Sequence, residues 1–426
     1  MTPEVKERIE QIRHGNVPEG YKKGKLGIVP VDWEEVQFST LFTSTSDYTD
    51  DLDQYPLYSL TIEEGITPKT ERYERSHLVK KENSYKIVRP NDYAYNPMNI
   101  RFGAVARHKG DRKVAVSGYY DIFTTVYESD LPFMDSFLTC GPMITYYNKV
   151  STGSLIEKQR VHLSDFLQFV LPLPKLEERK KIAEHLMIHD EVIELKEKLL
   201  TEKQRQKKYL MQQLLAGKKR LPGFDDNWRY IELGKISKKQ KQKNKRFAYS
   251  LVLSNSAQHG IIPQTEQFYK EIANEERIDG YYIVHDGFFV YNPRISVTAP
   301  CGPINRNETG KTGVMSPLYT VFSIESDKMD TDFLKQYFGS SCWHRHMKSV
   351  ANYGARHDRM SVSDEDFFLM PIPVPSLDEQ HAIATFLMAA DREIELLRQD
   401  LEQEKQKKKA LMQLLLTGIV RVTTDN

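Results

Sequence analysis

Two asparagine–proline pairs come closest to a catalytic motif in this chain. Asn96-Pro97-Met98 and Asn292-Pro293-Arg294 superficially resemble the Asn/Asp-Pro-Pro-aromatic motif of adenine methyltransferases, but both lack the second proline and the aromatic residue. The chain also has no glycine-rich strand–turn–helix for S-adenosylmethionine and no GxxxxGK[ST] sequence for a nucleotide. We therefore expect no catalytic site, no metal and no cofactor, although missing motifs leave a divergent nuclease open.

Residue types that read nucleic acid are concentrated in several loops. Arg, Lys, Asn and Gln side chains can contact base edges, and basic side chains on phosphates position a duplex. The candidate DNA-binding residues are Asn99, Arg101, Arg107 and Arg294, which follow the two Asn-Pro pairs; Lys158 and Arg160 in one late loop; Asn352, Tyr353, Arg356, His357 and Arg359 in another; and Lys241 and Lys243 in a lysine-rich run. The lysine-rich run fits a solvated charged loop as well as it fits phosphate contact.

Composition limits the class of protein but does not identify it. The chain has 426 residues with 60 basic and 59 acidic side chains, so any basic surface must arise by local segregation. Its three cysteines have no CxxC spacing, which argues against a disulfide framework or a zinc site and fits a reducing cytoplasm. No apolar run approaches the roughly 18 residues of a membrane span. We expect a cytoplasmic protein.

The strongest pattern is an internal repeat. Residues 176–220 align without a gap on residues 377–421, and 20 of the 45 aligned positions are identical. The similarity extends upstream, where Tyr85–Pro97 matches Tyr281–Pro293. Two equivalent modules in one chain suit a pair of targets.

Each module predicts an α+β domain of short aromatic-rich strands and a few small helices. The Tyr-x-Ile-Val and Tyr-Asn-Pro segments favour two strands around a polar turn, and each module ends in an apolar, proline-containing strand. Residues 45–80 and 238–275 share almost nothing. Conserved frameworks with different loops fit two binding domains of different specificity. Neutral divergence of an old duplication would also produce this pattern.

The segments between the modules predict two long helices with a coiled-coil seam. The predicted seam residues are Ile182, Leu186, Ile193, Leu200, Leu210 and Leu214 in the first helix, and Ile383, Leu387, Ile394, Leu397, Leu401, Leu411 and Leu415 in the second. Because a short linker joins the first helix to the second module, we expect the helices to be antiparallel, with the modules at opposite ends of a rod of about 50 Å. The alternative is that each helix packs only on its own module.

This pattern predicts the fold class α+β, with two similar α+β domains separated by two long helices in an antiparallel coiled coil and related by a pseudo-two-fold internal repeat. The expected boundaries are 1–20 for an N-terminal helical segment, 21–175 for the first α+β domain, 176–217 for the first long helix, 218–375 for the second domain, 376–418 for the second long helix and 419–426 for a tail.

Over essentially its whole length the chain resembles the specificity subunit of type I restriction–modification enzymes. The resemblance rests on GYKKGKLGIVPVDWEEV at 20–36, the two Tyr-Asn-Pro strands, and the paired blocks PLPKLEERKKIAEHL…LMQQLLAG and PVPSLDEQHAIATFL…LMQLLLTG. It implies that each domain reads half of a bipartite, asymmetric site in double-stranded DNA. It also implies that the helices set the spacer and dock methyltransferase and restriction subunits, and that the chain itself performs no chemistry. The competing interpretation is a coiled-coil adaptor that does not bind DNA.

Overall fold

The computed structural model describes residues 2–69, 84–155, 158–264, 275–352 and 358–422, and these form two compact units. Unit 1 comprises Met1–Lys196 and Asp400–Asn426, and unit 2 comprises Glu197–Gln399. Both long helices therefore contribute residues to both units.

Unit 1 begins with a helix and continues as short strands and small helices. Its helices are α1 (Pro3–Arg13), α2 (Leu131–Phe137), α3 (Gly141–Val150), α4 (Leu163–Leu167) and the first part of α5 (Leu176–Leu214). Its strands are β1 (Tyr21–Gly24), β2 (Gly27–Pro30), β3 (Glu34–Gln37), β4 (Phe42–Thr45), β5 (Tyr48–Thr49), β6 (Tyr58–Thr61), β7 (Gly65–Pro68), β8 (Tyr85–Val88), β9 (Tyr93–Tyr95), β10 (Val105–Arg107), β11 (Val114–Ser117), β12 (Asp121–Thr125) and β13 (Val170–Leu173).

Unit 2 repeats this order of elements. Its strands are β14 (Arg229–Glu232), β15 (Ser237–Lys239), β16 (Leu253–Ser256), β17 (Gly260–Pro263), β18 (Tyr282–Val284), β19 (Phe289–Tyr291), β20 (Ile304–Arg306), β21 (Gly313–Met315), β22 (Thr320–Ile324) and β23 (Pro371–Val374). Its helices are α6 (Thr331–Phe338), α7 (His344–Val350), α8 (Asp364–Phe368) and the first part of α9 (Leu377–Leu415).

The two units share strand pairings as well as strand order. The four-stranded sheet of unit 1 has the order β10-β9-β12-β4, and that of unit 2 has the equivalent order β20-β19-β22-β15. In each unit the first strand after the tryptophan pairs antiparallel with the final proline-containing strand, β3 with β13 and β14 with β23. Both pairs form two-stranded sheets, in which proline is tolerated because no further neighbour needs its missing N–H.

The segment that the sequence describes as two strands around a turn does form two strands, but they do not pair with each other. β8 pairs with β11, whereas β9 pairs with β10 and β12. The turn between β8 and β9 holds Asn91 at φ 69°, a left-handed conformation that asparagine adopts more readily than most residues. The chain therefore passes from one sheet to another at this turn.

Each core depends on aromatic side chains from the repeated strands. In unit 1, Tyr93 and Phe123 stack with ring centroids 5.2 Å apart, and Phe166 lies 5.0 Å from Phe123. In unit 2, Phe289 and Phe322 occupy the equivalent strand positions and stack at 5.6 Å. The aromatic positions predicted from the repeat are therefore core positions.

The long helices pair antiparallel within each unit. In unit 1, Asp190 on α5 forms an ion pair with Lys408 on α9, and in unit 2, Lys207 on α5 forms one with Asp391 on α9. The sequence numbers of the partners run in opposite directions, as an antiparallel pair requires. All predicted seam residues are buried or half-buried. The antiparallel arrangement is therefore confirmed.

The ends of both long helices also complete the globular cores. Ile182 and Leu186 at the start of α5 pack in the unit 1 core with Leu415 from the end of α9. Ile383 at the start of α9 packs in the unit 2 core with Leu214 from the end of α5. The same helices thus form both a seam and part of each core.

The segment that follows α9 packs against the N-terminal segment. Arg8 on α1 donates a 2.8 Å hydrogen bond to the carbonyl of Ile419, and the Tyr21 hydroxyl donates one of 2.8 Å to the carbonyl of Gly418. The segments around Arg8 and Gly418 therefore pack together in unit 1.

Candidate nucleic-acid interface

The two Asn-Pro pairs form turns. The Asn96 Oδ1 atom accepts a 3.0 Å hydrogen bond from the Met98 amide, and Asn292 Oδ1 accepts one of 3.0 Å from the Arg294 amide. In unit 2 the Asn292 Nδ2 atom also donates to the Asn255 carbonyl at 3.0 Å. These side chains therefore stabilise the backbone where the Tyr-Asn-Pro strand ends, and they position the residue that follows proline.

Two arginines of the candidate set have structural contacts in unit 1. Arg107 forms a fork with the Asp135 carboxylate, with distances of 2.9 Å from Nε and 2.7 Å from Nη2, and it also donates to Asn91. The hydrogen bonds that Arg107 donates to the Asp135 carboxylate raise the pKa of Arg107. Arg101 is buried and donates a 2.6 Å hydrogen bond to Gln159. Both guanidinium groups therefore hold loops in place within unit 1, and a contact of either with DNA stays a prediction.

The remaining unit 1 candidates lie on the turn and loop that Arg101 joins. Asn99 and Lys158 are exposed, and Arg160 is half-buried. Thr152 and Arg160 form a two-way backbone bridge with N–O distances of 3.0 and 2.9 Å. This bridge holds Arg160 beside the turn that follows Pro97, since the next amide, that of Val161, donates to the Pro97 carbonyl at 3.0 Å.

Unit 2 brings Arg294 and Arg359 together although 64 residues separate them in the sequence. The two residues form an antiparallel backbone bridge. It is flanked by hydrogen bonds from the Ile295 amide to the Asp358 carbonyl, 3.0 Å, and from the Met360 amide to the Pro293 carbonyl, 2.9 Å. Asn352 pairs similarly with Ser361. Tyr353, Arg356 and His357 lie outside the described residues.

The lysine-rich run divides into paired and exposed side chains. Lys239, at the end of β15, forms an ion pair with Asp364 at the start of α8. Lys241 and Lys243 follow the strand with exposed side chains. The next residue, Asn244, is buried and donates 2.8 Å to the Tyr249 carbonyl, so the segment has a fixed backbone.

Sequence reasoning missed the residues that line a cleft beside Arg294. Ser254 and Asn255 of β16 and Tyr319 of the turn before β22 all face it. Tyr319 was recognised only as part of the Ser-x-x-Tyr repeat, and β16 lies in a region without detectable similarity to the first module. The only signal available was the repeated tyrosine.

Among the residues that the structure describes, no group of three or more His, Cys, Asp or Glu side chains could hold a metal ion. None of the helices in the described ranges has both the length and the apolar character that crossing a membrane would require.

Comparisons with known proteins agree with this geometry. Residues 226–406, which include most of unit 2, match the family model of the type I restriction modification DNA specificity domain. The chain is 25% identical to the putative type I restriction enzyme MjaX specificity subunit of Methanocaldococcus jannaschii over 95% of its own length and 98% of the relative. It is also 25% identical to the MjaVIII specificity subunit of the same organism, over 61% of this chain and 64% of that one.

A solved structure shows the same fold. It comes from a study of complex assembly and conformational transition of the type I R-M system, and it covers 92% of this chain and 99% of its own, with a TM-score of 0.56 at 16% identity. Residues 226–406 thus match the specificity-domain family, and the chain is similar over nearly its whole length to a type I restriction enzyme specificity subunit.

Proposed function

We propose that each unit reads one half of a bipartite, asymmetric DNA site and that the paired helices set the length of the spacer between the halves. The observation that carries this proposal is the repeated ion pair between the helices. Asp190 with Lys408 and Lys207 with Asp391 occupy equivalent positions, 201 residues apart in the sequence, one pair in each unit. A repeated pair of this kind fixes the register of the two helices, and with it the distance along the helices between the two ion pairs.

The site in each unit is the turn after Tyr-Asn-Pro together with the late loop beside it. In unit 1 this places Asn99, Lys158 and Arg160 on neighbouring segments. In unit 2 it places Arg294 and Arg359 on one bridge. Frameworks with the same strand pairings thus present different polar side chains, which is what two readers of different half-sites need.

We infer that the chain performs no bond-making step. In both Asn-Pro pairs the asparagine oxygen accepts a backbone hydrogen bond within its own turn. In Asn292 the amide nitrogen is also occupied by the Asn255 carbonyl. The oxygen that would accept from the amine of a target base is thus already engaged within its own turn.

Methyltransferase and restriction subunits are the proposed protein partners. The long helices carry large exposed apolar side chains at repeat-equivalent positions, Met187 and Leu195 on α5 and Met388 and Leu396 on α9. Exposed apolar side chains on a helix are suited to a partner helix. Because the same positions recur in each unit, we propose that two copies of the methyltransferase subunit dock.

The test is to express the chain with its methyltransferase partner and map methylated bases by single-molecule sequencing. We expect a split, non-palindromic motif that disappears when the gene for this chain is deleted. Replacing 352–361 of unit 2 with the equivalent loop of another family member is expected to change one half of the motif only. A contiguous motif, or a motif that persists without this chain, contradicts the proposal.

A further inference from the structure

Unit 2 contains a cleft of about 240 Å³ beside the Arg294–Arg359 bridge. Its lining includes Ser254 and Asn255 of β16, Asn292 and Arg294 of the Asn-Pro turn, Tyr319, and Arg359. The cleft therefore collects side chains from four separated segments of the chain at one place on the unit.

The floor of the cleft is fixed by an amide network. Asn255 is buried, and its Nδ2 atom donates to the Val290 carbonyl at 2.7 Å, while its Oδ1 atom accepts from Asn305 at 2.7 Å. Its backbone carbonyl accepts from Asn292 at 3.0 Å. Both polar groups of the Asn255 side chain are hydrogen-bonded, so the floor of the cleft is held in place. The bond from Asn292 connects this floor to the turn that carries Arg294.

Tyr319 forms one wall. Burial raises the pKa of Tyr319, an effect opposed by the side chain of Ser254 and by the nearby charges of Arg294 and Arg359. Both guanidinium groups therefore lie near the Tyr319 hydroxyl at the edge of the cleft, where their positive charges stabilise its ionised form.

The rim carries a loose triplet of Arg294, Asp358 and Arg359. The Asp358 Oδ2 atom lies 3.9 Å from Arg294 Nη2 and 3.7 Å from Arg359 Nε. These distances exceed those of hydrogen bonds, and the side chains of Arg294 and Asp358 are 63% and 57% exposed. Exposed ion pairs of this kind contribute little free energy. Each side chain can therefore leave its ion pair and contact a ligand at small cost.

Unit 1 lacks this triplet at the equivalent positions. Met98 follows Pro97 where Arg294 follows Pro293. The Val161 amide donates to Pro97 as the Met360 amide donates to Pro293, which aligns Arg160 with Arg359 and Gln159 with Asp358. Gln159 is bonded to Arg101. The triplet is thus a property of unit 2.

The carboxylate distinguishes between two kinds of DNA contact. Two arginines alone would suit a phosphate, but Asp358 within 4.0 Å of both would repel one. A base pair offers both polarities in the major groove: guanine presents the O6 and N7 acceptors, and cytosine presents an N4 donor. Arginine on guanine and a carboxylate on the cytosine amine together satisfy a G·C pair.

We propose that Arg294, Asp358 and Arg359 read one G·C base pair in the half-site of unit 2, with the guanidinium N–H groups donating to guanine and Asp358 accepting from cytosine. This assignment rests on the proposed function. It adds the identity of one base pair and of the three side chains that select it.

The test uses the complex of this chain with its methyltransferase subunits, with binding measured by fluorescence anisotropy on duplexes that carry its mapped motif. Wild type is expected to lose affinity about 5- to 150-fold when one G·C pair of the unit 2 half-site becomes A·T. It should also lose affinity when that guanine becomes 7-deazaguanine, which lacks the N7 acceptor.

The variants are Arg294→Met, which introduces the residue that unit 1 has at this position, Asp358→Asn and Arg359→Gln. They are expected to lose discrimination at that single position and to keep the rest of the motif. Arg345→Met, on the exposed side of α7, is the matched control and should bind like wild type. Circular dichroism confirms that each variant is folded.

Two outcomes overturn the assignment. A uniform loss of affinity on all duplexes with an unchanged motif would show phosphate contact, and wild-type discrimination in all three variants would place the base contact elsewhere. Failure of the proposed function would give a different result, because the wild-type complex itself would then methylate no split motif.

Discussion

Arg220 donates two hydrogen bonds, each 2.6 Å long, to the carboxylate of Glu379 in the first turn of α9. Trp228 Nε1 donates a third to the same carboxylate at 2.9 Å. The equivalent contact in unit 1 joins Arg421 to Glu178 at 2.6 and 2.9 Å. In each unit, the segment that follows one long helix is thus tied to the beginning of the other.

Removing Arg220 is expected to destabilise unit 2. Glu379 is only 1% exposed, so Arg220→Ala leaves a buried carboxylate without its main partner. We expect a loss of about 3 kcal/mol in the free energy of unfolding, the low end for breaking a buried pair, because Arg220 is partly exposed. Urea unfolding followed by circular dichroism measures it.

Arg205→Ala is the control for that measurement. Arg205 pairs with Glu202 on the surface of α5, and both side chains are largely exposed. Its removal should cost about 0–1 kcal/mol. If the two variants lose the same stability, the Arg220–Glu379 contact does not hold unit 2 together.

Shortening both helices should shorten the spacer of the DNA site. Deleting 195–201 and 396–402 together removes one heptad from each helix and leaves the Asp190–Lys408 and Lys207–Asp391 pairs in the sequence. At 1.5 Å per residue the loss is about 10 Å, or roughly 3 base pairs of spacer. Mapping of methylated bases measures it.

A matched control replaces the same heptads with helical sequences of equal length, which should leave the spacer unchanged. The ruler hypothesis fails if the deletion alters the bases of either half-site while the spacer stays the same.

Binding should depend steeply on salt. Each phosphate contact by a lysine releases counterions, so log K is expected to fall linearly with log salt concentration. Lys241→Ala and Lys243→Ala, in the exposed segment after β15, should each reduce the magnitude of the slope by about one and leave the motif unchanged. Anisotropy titrations between 50 and 200 mM salt, roughly the range over which such effects are large, measure it.

Two results would argue against this account. Affinity that is indifferent to salt favours an adaptor that does not bind DNA. A slope that both lysine variants leave unchanged favours a solvated loop.

The helix pair should respond to acid through Glu404. A hydrogen bond from His189 Nδ1, 2.7 Å long, and the charges of Lys407 and Lys196 hold the pKa of this carboxyl below its ordinary value. A lowered pKa in the folded state contributes stability above the unfolded pKa of about 4.3, and the contribution is lost as the pH falls through the folded pKa.

Glu404→Gln should therefore lower the Tm at pH 7 and approach the wild-type Tm as the pH falls below about 4. Differential scanning calorimetry across this range measures the convergence. Glu402→Gln, at an exposed position on the same helix, is the control and should shift the Tm little at any pH. A difference between Glu404→Gln and wild type that does not change with pH contradicts the electrostatic explanation.

The sequence predicted the elements whose signals are periodic or repeated. The helices at Leu176–Leu214 and Leu377–Leu415, their antiparallel pairing and the repeated aromatic strands were all readable in this way. Helical periodicity and internal repetition are local properties of a chain, so they survive even where the loops diverge.

The sequence could not indicate which strands pair or how each core is completed. Tyr85–Val88 and Tyr93–Tyr95 are neighbours in the chain, yet they belong to different sheets. The start of α5 packs with the end of α9 because each unit needs apolar side chains from both. Pairings of this kind depend on contacts between residues that are distant in the sequence.

The sequence alone determined that this chain consists of two equivalent α+β modules joined by long helices, and it named basic side chains suited to DNA. Only the tertiary structure decided how each of those side chains is held. Arg107 is held by Asp135, 28 residues away, whereas Arg294 lies mostly exposed beside Arg359. The physical reason is that the availability of a guanidinium group depends on which carboxylates and amides the fold places around it, and residue type carries no information about those neighbours.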